Sequence, residues 1–220
     1  MKVTDLVNLD AYPIQDIQSP TIQALVAKCR QNLDKNALCT LEDFVSPEAL
    51  MVMKTEIDGL LTSAYRAEHE RTPYSWRYNL DFPDDHPRRA LHLNRYRYLL
   101  NNQFKEATLI SQLYEWTPLT EFVRHVLGFE TLYQTADPYL SIVINIMQTG
   151  DELAWHFDTN DGVVSLMLQT ADEGGQFEYA PYIRDEIDEN YTGIQELFDG
   201  SSSLADQPAI EAGTFVLFKG

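Results

Sequence analysis

Gly150-Asp151-Glu152-Leu153-Ala154-Trp155-His156-Phe157-Asp158-Thr159-Asn160 is the stretch around which the rest of the chain organises itself. A glycine turn opens it, and Val163-Val164-Ser165-Leu166-Met167-Leu168, a run of the buried-strand type, follows it. On extended backbone, residues two apart point to the same side. His156 and Asp158 therefore converge, while Trp155 and Phe157 face away. One imidazole and one carboxylate, completed by a second histidine from elsewhere, make the facial triad that holds non-haem iron(II) and leaves one face of the ion open. By itself a His-x-Asp pair is weak evidence. A histidine satisfied by backbone, and an aspartate capping the turn Asn160-Asp161-Gly162, are the competing readings.

Outward from this stretch the texture is that of strands. Residues 139–147, 162–169, 176–180 and 214–218 are β-branched, apolar or alternating. Gly150, Gly174-Gly175 and Gly213 punctuate them, as tight turns between antiparallel strands require. Residues 184–209 are long, acidic and without apolar periodicity, which makes them the candidate lid.

The other half reads as helices. Ser19-Pro20 is an N-cap with proline at the first helical position, followed by Ile22, Leu25, Val26, Cys29 and Leu33 at helical spacing. Ser46-Pro47-Glu48 repeats the signal, with an apolar face from Leu50 to Ala64 and a helix to about Tyr65. A third helix starts at Thr117-Pro118 and stops at Gly128. The whole is expected to be a single domain over 1–220, mainly helical over 1–130, with a β core over 131–220.

Between the second and third helices, residues 74–98 are aromatic and Arg-rich. They contain Trp76-Arg77-Tyr78, Asp84-Asp85-His86-Pro87-Arg88-Arg89 and Asn94-Arg95-Tyr96-Arg97-Tyr98. Much of the limited positive charge sits here, either as a local anion-binding surface or as extended segments whose arginines pair with carboxylates. Over the whole chain, 16 basic against 34 acidic residues give a formal charge of −18. That balance disfavours nucleic acid and anionic membrane as partners. No signal-peptide core and no bilayer-spanning apolar run is present. Cys29 and Cys39 alone make neither a disulfide framework nor a zinc site, so a cytoplasmic setting is expected.

The run from Gly150 to Asp158, then Glu173-Gly174-Gly175 with Phe177, then Ala212-Gly213-Thr214-Phe215-Val216-Leu217-Phe218 resembles the 2-oxoglutarate- and Fe(II)-dependent dioxygenase superfamily. The resemblance covers about residues 137–220. With Asp85-His86-Pro87-Arg88-Arg89 and Ala136-Asp137-Pro138 added, the pattern is similar to the branch of radical halogenases and hydroxylases of free amino acids, related to the lysine halogenases. The resemblance implies an α+β fold with a double-stranded β-helix (jelly-roll, cupin-like) core and N-terminal helices packed on it. It implies Fe(II) as cofactor and 2-oxoglutarate as cosubstrate, with O2 and a small polar molecule, such as a free amino acid, as the other reactants. His156 and Asp158 are then catalytic metal ligands, and Asn145 and Ser165 the cosubstrate contacts. Arg95, Arg97 and Asp137 are the candidates for substrate, an arginine meeting a carboxylate and Asp137 an amine.

Halogenases of this branch are implied to replace the iron-binding carboxylate by a small residue, making room for chloride. Asp158 keeps the carboxylate, which favours hydroxylation. The third ligand, a histidine, and the arginine that grips 2-oxoglutarate are implied to follow the strand of residues 214–218. Both are expected beyond Gly220, since His69, His86, His92 and His125 do not occupy that place in the barrel order. The rivals are a degenerate member acting as a ligand-binding or sensor barrel, and a halogenase on the same iron centre.

Overall fold

The computed structural model describes residues 1–75, 79–104 and 108–219. Trp76, Arg77 and Tyr78 of the Arg-rich stretch lie outside them.

The serine–proline signals act as helix starts. Ser19 Oγ accepts from the Ile22 amide and opens α1 (Pro20–Asn36); Ser46 Oγ accepts from the Ala49 amide and opens α2 (Pro47–Asp58). α1 buries Ile22, Val26, Cys29 and Leu33 as one stripe. It ends on Ala37, whose φ of 56° turns the chain straight into β1 (Leu38–Leu41). The second helix stops at Asp58, earlier than its apolar spacing suggests: Gly59 caps it, Leu61–Ser63 make a separate 3-10 turn, and the chain then enters a strand, β2 (Tyr65–Arg71). Its seven-residue register with β3 (His92–Leu100) runs from Tyr65 opposite Tyr98 to Arg71 opposite His92. α3 (Leu109–Glu115) and α4 (Thr117–Leu127) follow, and Gly128, at φ 77°, closes α4.

The later strands are β4 (Val143–Ile146), β5 (Val163–Leu166) and β6 (Phe215–Phe218). Two antiparallel sheets result, ordered β1-β6-β5 and β2-β3-β4. Each joins early and late parts of the chain, so the first 130 residues contribute three strands beside their helices. The class is mixed α+β, and among the described residues neither sheet closes into a barrel. The alternating run 176–180 forms no named strand; Tyr179 makes one isolated bridge to Asp206.

β6 is central and apolar on both sides. Phe215 and Leu217 join Cys39 and Leu41 in the main core beneath α1–α4, with Phe44 stacked on Phe215 at 4.8 Å between centroids. Val216 faces the other way, with Leu38 and Ile210. Burying side chains such as Phe122 and Leu217 contributes about 2 kcal/mol each.

The acidic segment read as a lid carries a helix, α5 (Tyr191–Phe198). Asn190 caps it, accepting from the Gly193 amide, and Ile194 and Leu197 are 1% and 9% exposed. They pack with Ile183 against Tyr74, Trp155 and Phe157. A buried apolar stripe outweighs the segment's charge, so its middle is part of the fold and not a free flap. No helix of the described residues is long and apolar enough to cross a membrane.

Candidate functional site

The turn before the His156 segment is fixed from the β2-β3 sheet. Gly150 has a φ of 81°, the left-handed region that favours glycine, and its carbonyl accepts from Arg95 Nη2 at 2.6 Å and from Nε at 3.2 Å. Asp151 caps the same turn, accepting from the Gln148 amide at 3.0 Å and from Arg66 Nη1 at 2.9 Å. Burial alone would raise the Asp151 carboxyl, but the Gln148 and Arg66 hydrogen bonds hold it below the usual carboxylate range. Backbone bonds between Arg95 and Glu152, at 2.7 and 2.8 Å, then lay the segment alongside β3.

One buried side chain continues the attachment. Asn94 is 0% exposed; its Oδ1 accepts from the Ala154 amide at 3.1 Å and its Nδ2 donates to the His92 carbonyl at 3.2 Å. Ala154 in turn accepts from His156 Nδ1 at 2.8 Å. A carbonyl oxygen only accepts, so Nδ1 carries the proton in that bond. A neutral ring therefore presents a bare lone pair on Nε2. Asp158 Oδ1 lies 3.6 Å from that Nε2, and the two side chains are 26% and 34% exposed. Although the segment is not hydrogen-bonded as a strand, its side chains alternate as extended backbone dictates. His156 and Asp158 share one side, and Trp155 and Phe157 pack into the cluster with Ile194 and Leu197.

A bare Nε2 beside a carboxylate oxygen is a donor pair suited to a divalent transition metal. Among the described residues, however, no group of three His, Cys, Asp or Glu side chains could hold an ion. The other histidines serve elsewhere. His86 stacks on Phe82, His92 lies against Phe198, and His125 Nδ1 bonds the Glu121 carbonyl within α4. His69 sits on β2 opposite Asn94.

The remaining candidates are spread out. Asn145 stands on β4 opposite Tyr98, and Ser165 on β5 opposite Val216, so they belong to different sheets, and both are exposed. Arg95 is engaged by the Gly150 carbonyl. Asp137 spends its carboxylate on the amides of Tyr139 and Leu140, which hold it below the ordinary range. Arg97 lies between Arg66 and Ile146 in the sheet, and its buried Nε has no hydrogen-bond partner among the described residues. Asn94 was not singled out from the sequence. A polar residue at an inward-facing position of the Arg- and Tyr-rich strand was the available signal.

Comparison with curated proteins returns no match. A family model described as halogenase D matches residues 21–205, a span that holds, among the described residues, α2 to α5 entire, β1 to β5, and both His156 and Asp158. The chain belongs to the halogenase D family.

Proposed function

We propose that this protein is an Fe(II)- and 2-oxoglutarate-dependent oxygenase that hydroxylates an unactivated C–H bond of a small polar molecule, with free amino acids as the first substrate class to test. The observation that carries this reading is the orientation of His156. Its Nδ1 proton is committed to the Ala154 carbonyl, and its Nε2 is aimed to within 3.6 Å of Asp158 Oδ1. His156 and Asp158 would hold the ion as two of the three ligands of the triad. In this reading the two sheets are halves of a double-stranded β-helix. With its cosubstrates, the ion supplies oxidation of the target by O2, with 2-oxoglutarate converted to succinate and CO2 and one oxygen atom delivered as hydroxyl.

The protein's own residues orient and shield. Asn94, Arg66 and Asp151 fix the ligand-bearing segment, and Trp155 and Phe157 close its inner side against water. Asn145 and Ser165 are assigned to the cosubstrate. Of the three substrate candidates, Arg97 has a buried donor still unfilled, which suits it to a substrate carboxylate. Arg95 and Asp137 contribute through the turns they hold.

Family membership favours a second outcome on the same centre, replacement of hydrogen by chlorine. Asp158 argues against it, because the resemblance implies that halogenases of this branch carry a small residue in place of the iron-binding carboxylate. The deciding experiment incubates the protein with Fe(II), 2-oxoglutarate, O2, chloride and a pool of free amino acids, followed by mass spectrometry. A product heavier by one oxygen atom is expected. A chlorinated product would overturn hydroxylation in favour of halogenation, and no succinate above the Asp158→Ala background would refute both.

A further inference from the structure

Phe157, the residue between the two proposed ligands, is gripped by a network that the iron-centre reading does not use. The Arg184 guanidinium lies 3.8 Å from the centre of the Phe157 ring and 5.6 Å from that of Tyr74. Its Nη1 is 3.3 Å from Glu189 Oε2. The same carboxylate accepts from Arg88 Nη2 at 2.6 Å and from the Tyr74 hydroxyl at 3.3 Å. Burial first, and then the charge of Glu189, push the Tyr74 phenol up, so it stays protonated as a donor. Arg88 covers the Tyr74 ring at 4.3 Å and donates from Nε to the Tyr191 hydroxyl at 2.7 Å. Phe157 itself packs at 5.0 Å from Tyr74, and its amide donates to the Pro73 carbonyl at 2.9 Å.

Isolated ion pairs at a surface contribute little. Here one carboxylate serves two guanidiniums and a phenol, and a planar cation is laid on an aromatic face, an arrangement that fixes orientation as well as proximity. The network joins residues 73–74, 88 and 184–191 to the single ring that separates His156 from Asp158. Because side chains alternate along this segment, a rotation that freed Phe157 would swing both neighbours. A metal site tolerates about 0.5 Å of such movement.

We propose that Arg184, clamped by Glu189 onto Phe157, is a positioning residue that holds His156 and Asp158 in register for one metal ion. This rests on the iron-centre reading given above. Arg184→Gln removes the cation at similar length, while Arg184→Lys keeps a charge for Glu189 but loses the planar face on Phe157.

The test has two readouts on the full-length protein: hydrogen exchange at the Phe157 amide without metal, and Mn(II) affinity by titration. In Arg184→Gln, exchange at Phe157 is expected to rise and Mn(II) affinity to fall, each roughly three- to tenfold, with Arg184→Lys between. Adding Arg184→Gln to Phe157→Leu should weaken Mn(II) binding no further, since the stacking partner is already gone. Unchanged exchange overturns the clamp, and raised exchange with unchanged Mn(II) affinity overturns its positioning role. In both cases wild-type binding leaves the iron centre standing. A wild-type protein that takes up no Mn(II) sinks the iron-centre reading, and the positioning role with it.

Discussion

Asn94→Ala isolates the attachment on which the site depends. The side chain is wholly buried and makes two hydrogen bonds, to the Ala154 amide and the His92 carbonyl. Each contributes about 1 kcal/mol net, and a buried donor left unpaired adds about 1–3 kcal/mol more. Ala154 is only 8% exposed, so its amide has little water to turn to. The sum is a loss of about 3–5 kcal/mol. With a urea dependence of about 3 kcal/mol per molar for a chain of this size, the unfolding midpoint should fall by about 1–1.7 M. Urea titration followed by tryptophan fluorescence reads this directly. A midpoint shift under about 0.3 M, with unchanged slope, would mean that Asn94 does not hold the segment and would refute the reasoning.

Three further outcomes follow from the same structure. Asp151 is held below the range of a free aspartate, so the stability it contributes is present above about pH 4 and is lost as pH falls through its folded value; Asp151→Asn should flatten the acid limb of the stability curve, and an unaltered limb would count against the Arg66–Asp151 pair. Ile194→Ala in α5 should cost about 3 kcal/mol, or about 10 °C in Tm, because Ile194 is 1% exposed in the cluster behind Trp155; a change under about 2 °C would restore the view of this segment as a detachable lid. Cys29 and Cys39 are 1% and 2% exposed. The hydrogen bond with Cys39, then burial, push the Cys29 thiol up, while the hydrogen bond with Cys29 brings the Cys39 thiol down; because both are shut away from solvent, neither cysteine should react with a disulfide-exchange reagent until the protein unfolds. Reaction in the folded state at the rate of a free thiol would contradict the packing of α1 on β1.

What was legible in the sequence is what local rules govern. Serine followed by proline marks the starts of α1 and α2 because the cap and the fixed φ act within one turn. The convergence of His156 and Asp158 follows from the two-residue period alone. β2 was missed because Tyr65-Arg66-Ala67-Glu68-His69-Glu70-Arg71 has no apolar alternation, and its strand state is imposed by pairing with β3 across an intervening loop. α5 was hidden by its acidic surroundings, and its short apolar stripe gains meaning only once Trp155 and Phe157 are there to receive it. Asn94 and Ala154 are 60 positions apart. No local pattern announces such a bond; it exists because the Arg95–Glu152 bridge brings the two stretches together.

The most direct test of the iron-centre account is an anaerobic titration of the full-length protein with Fe(II) and 2-oxoglutarate, repeated with His156→Ala. The account predicts a weak visible charge-transfer band that requires both components in the wild type and is absent from the variant. Absence of the band from the wild type, or its persistence in His156→Ala, would contradict the assignment of His156 and Asp158 to the metal.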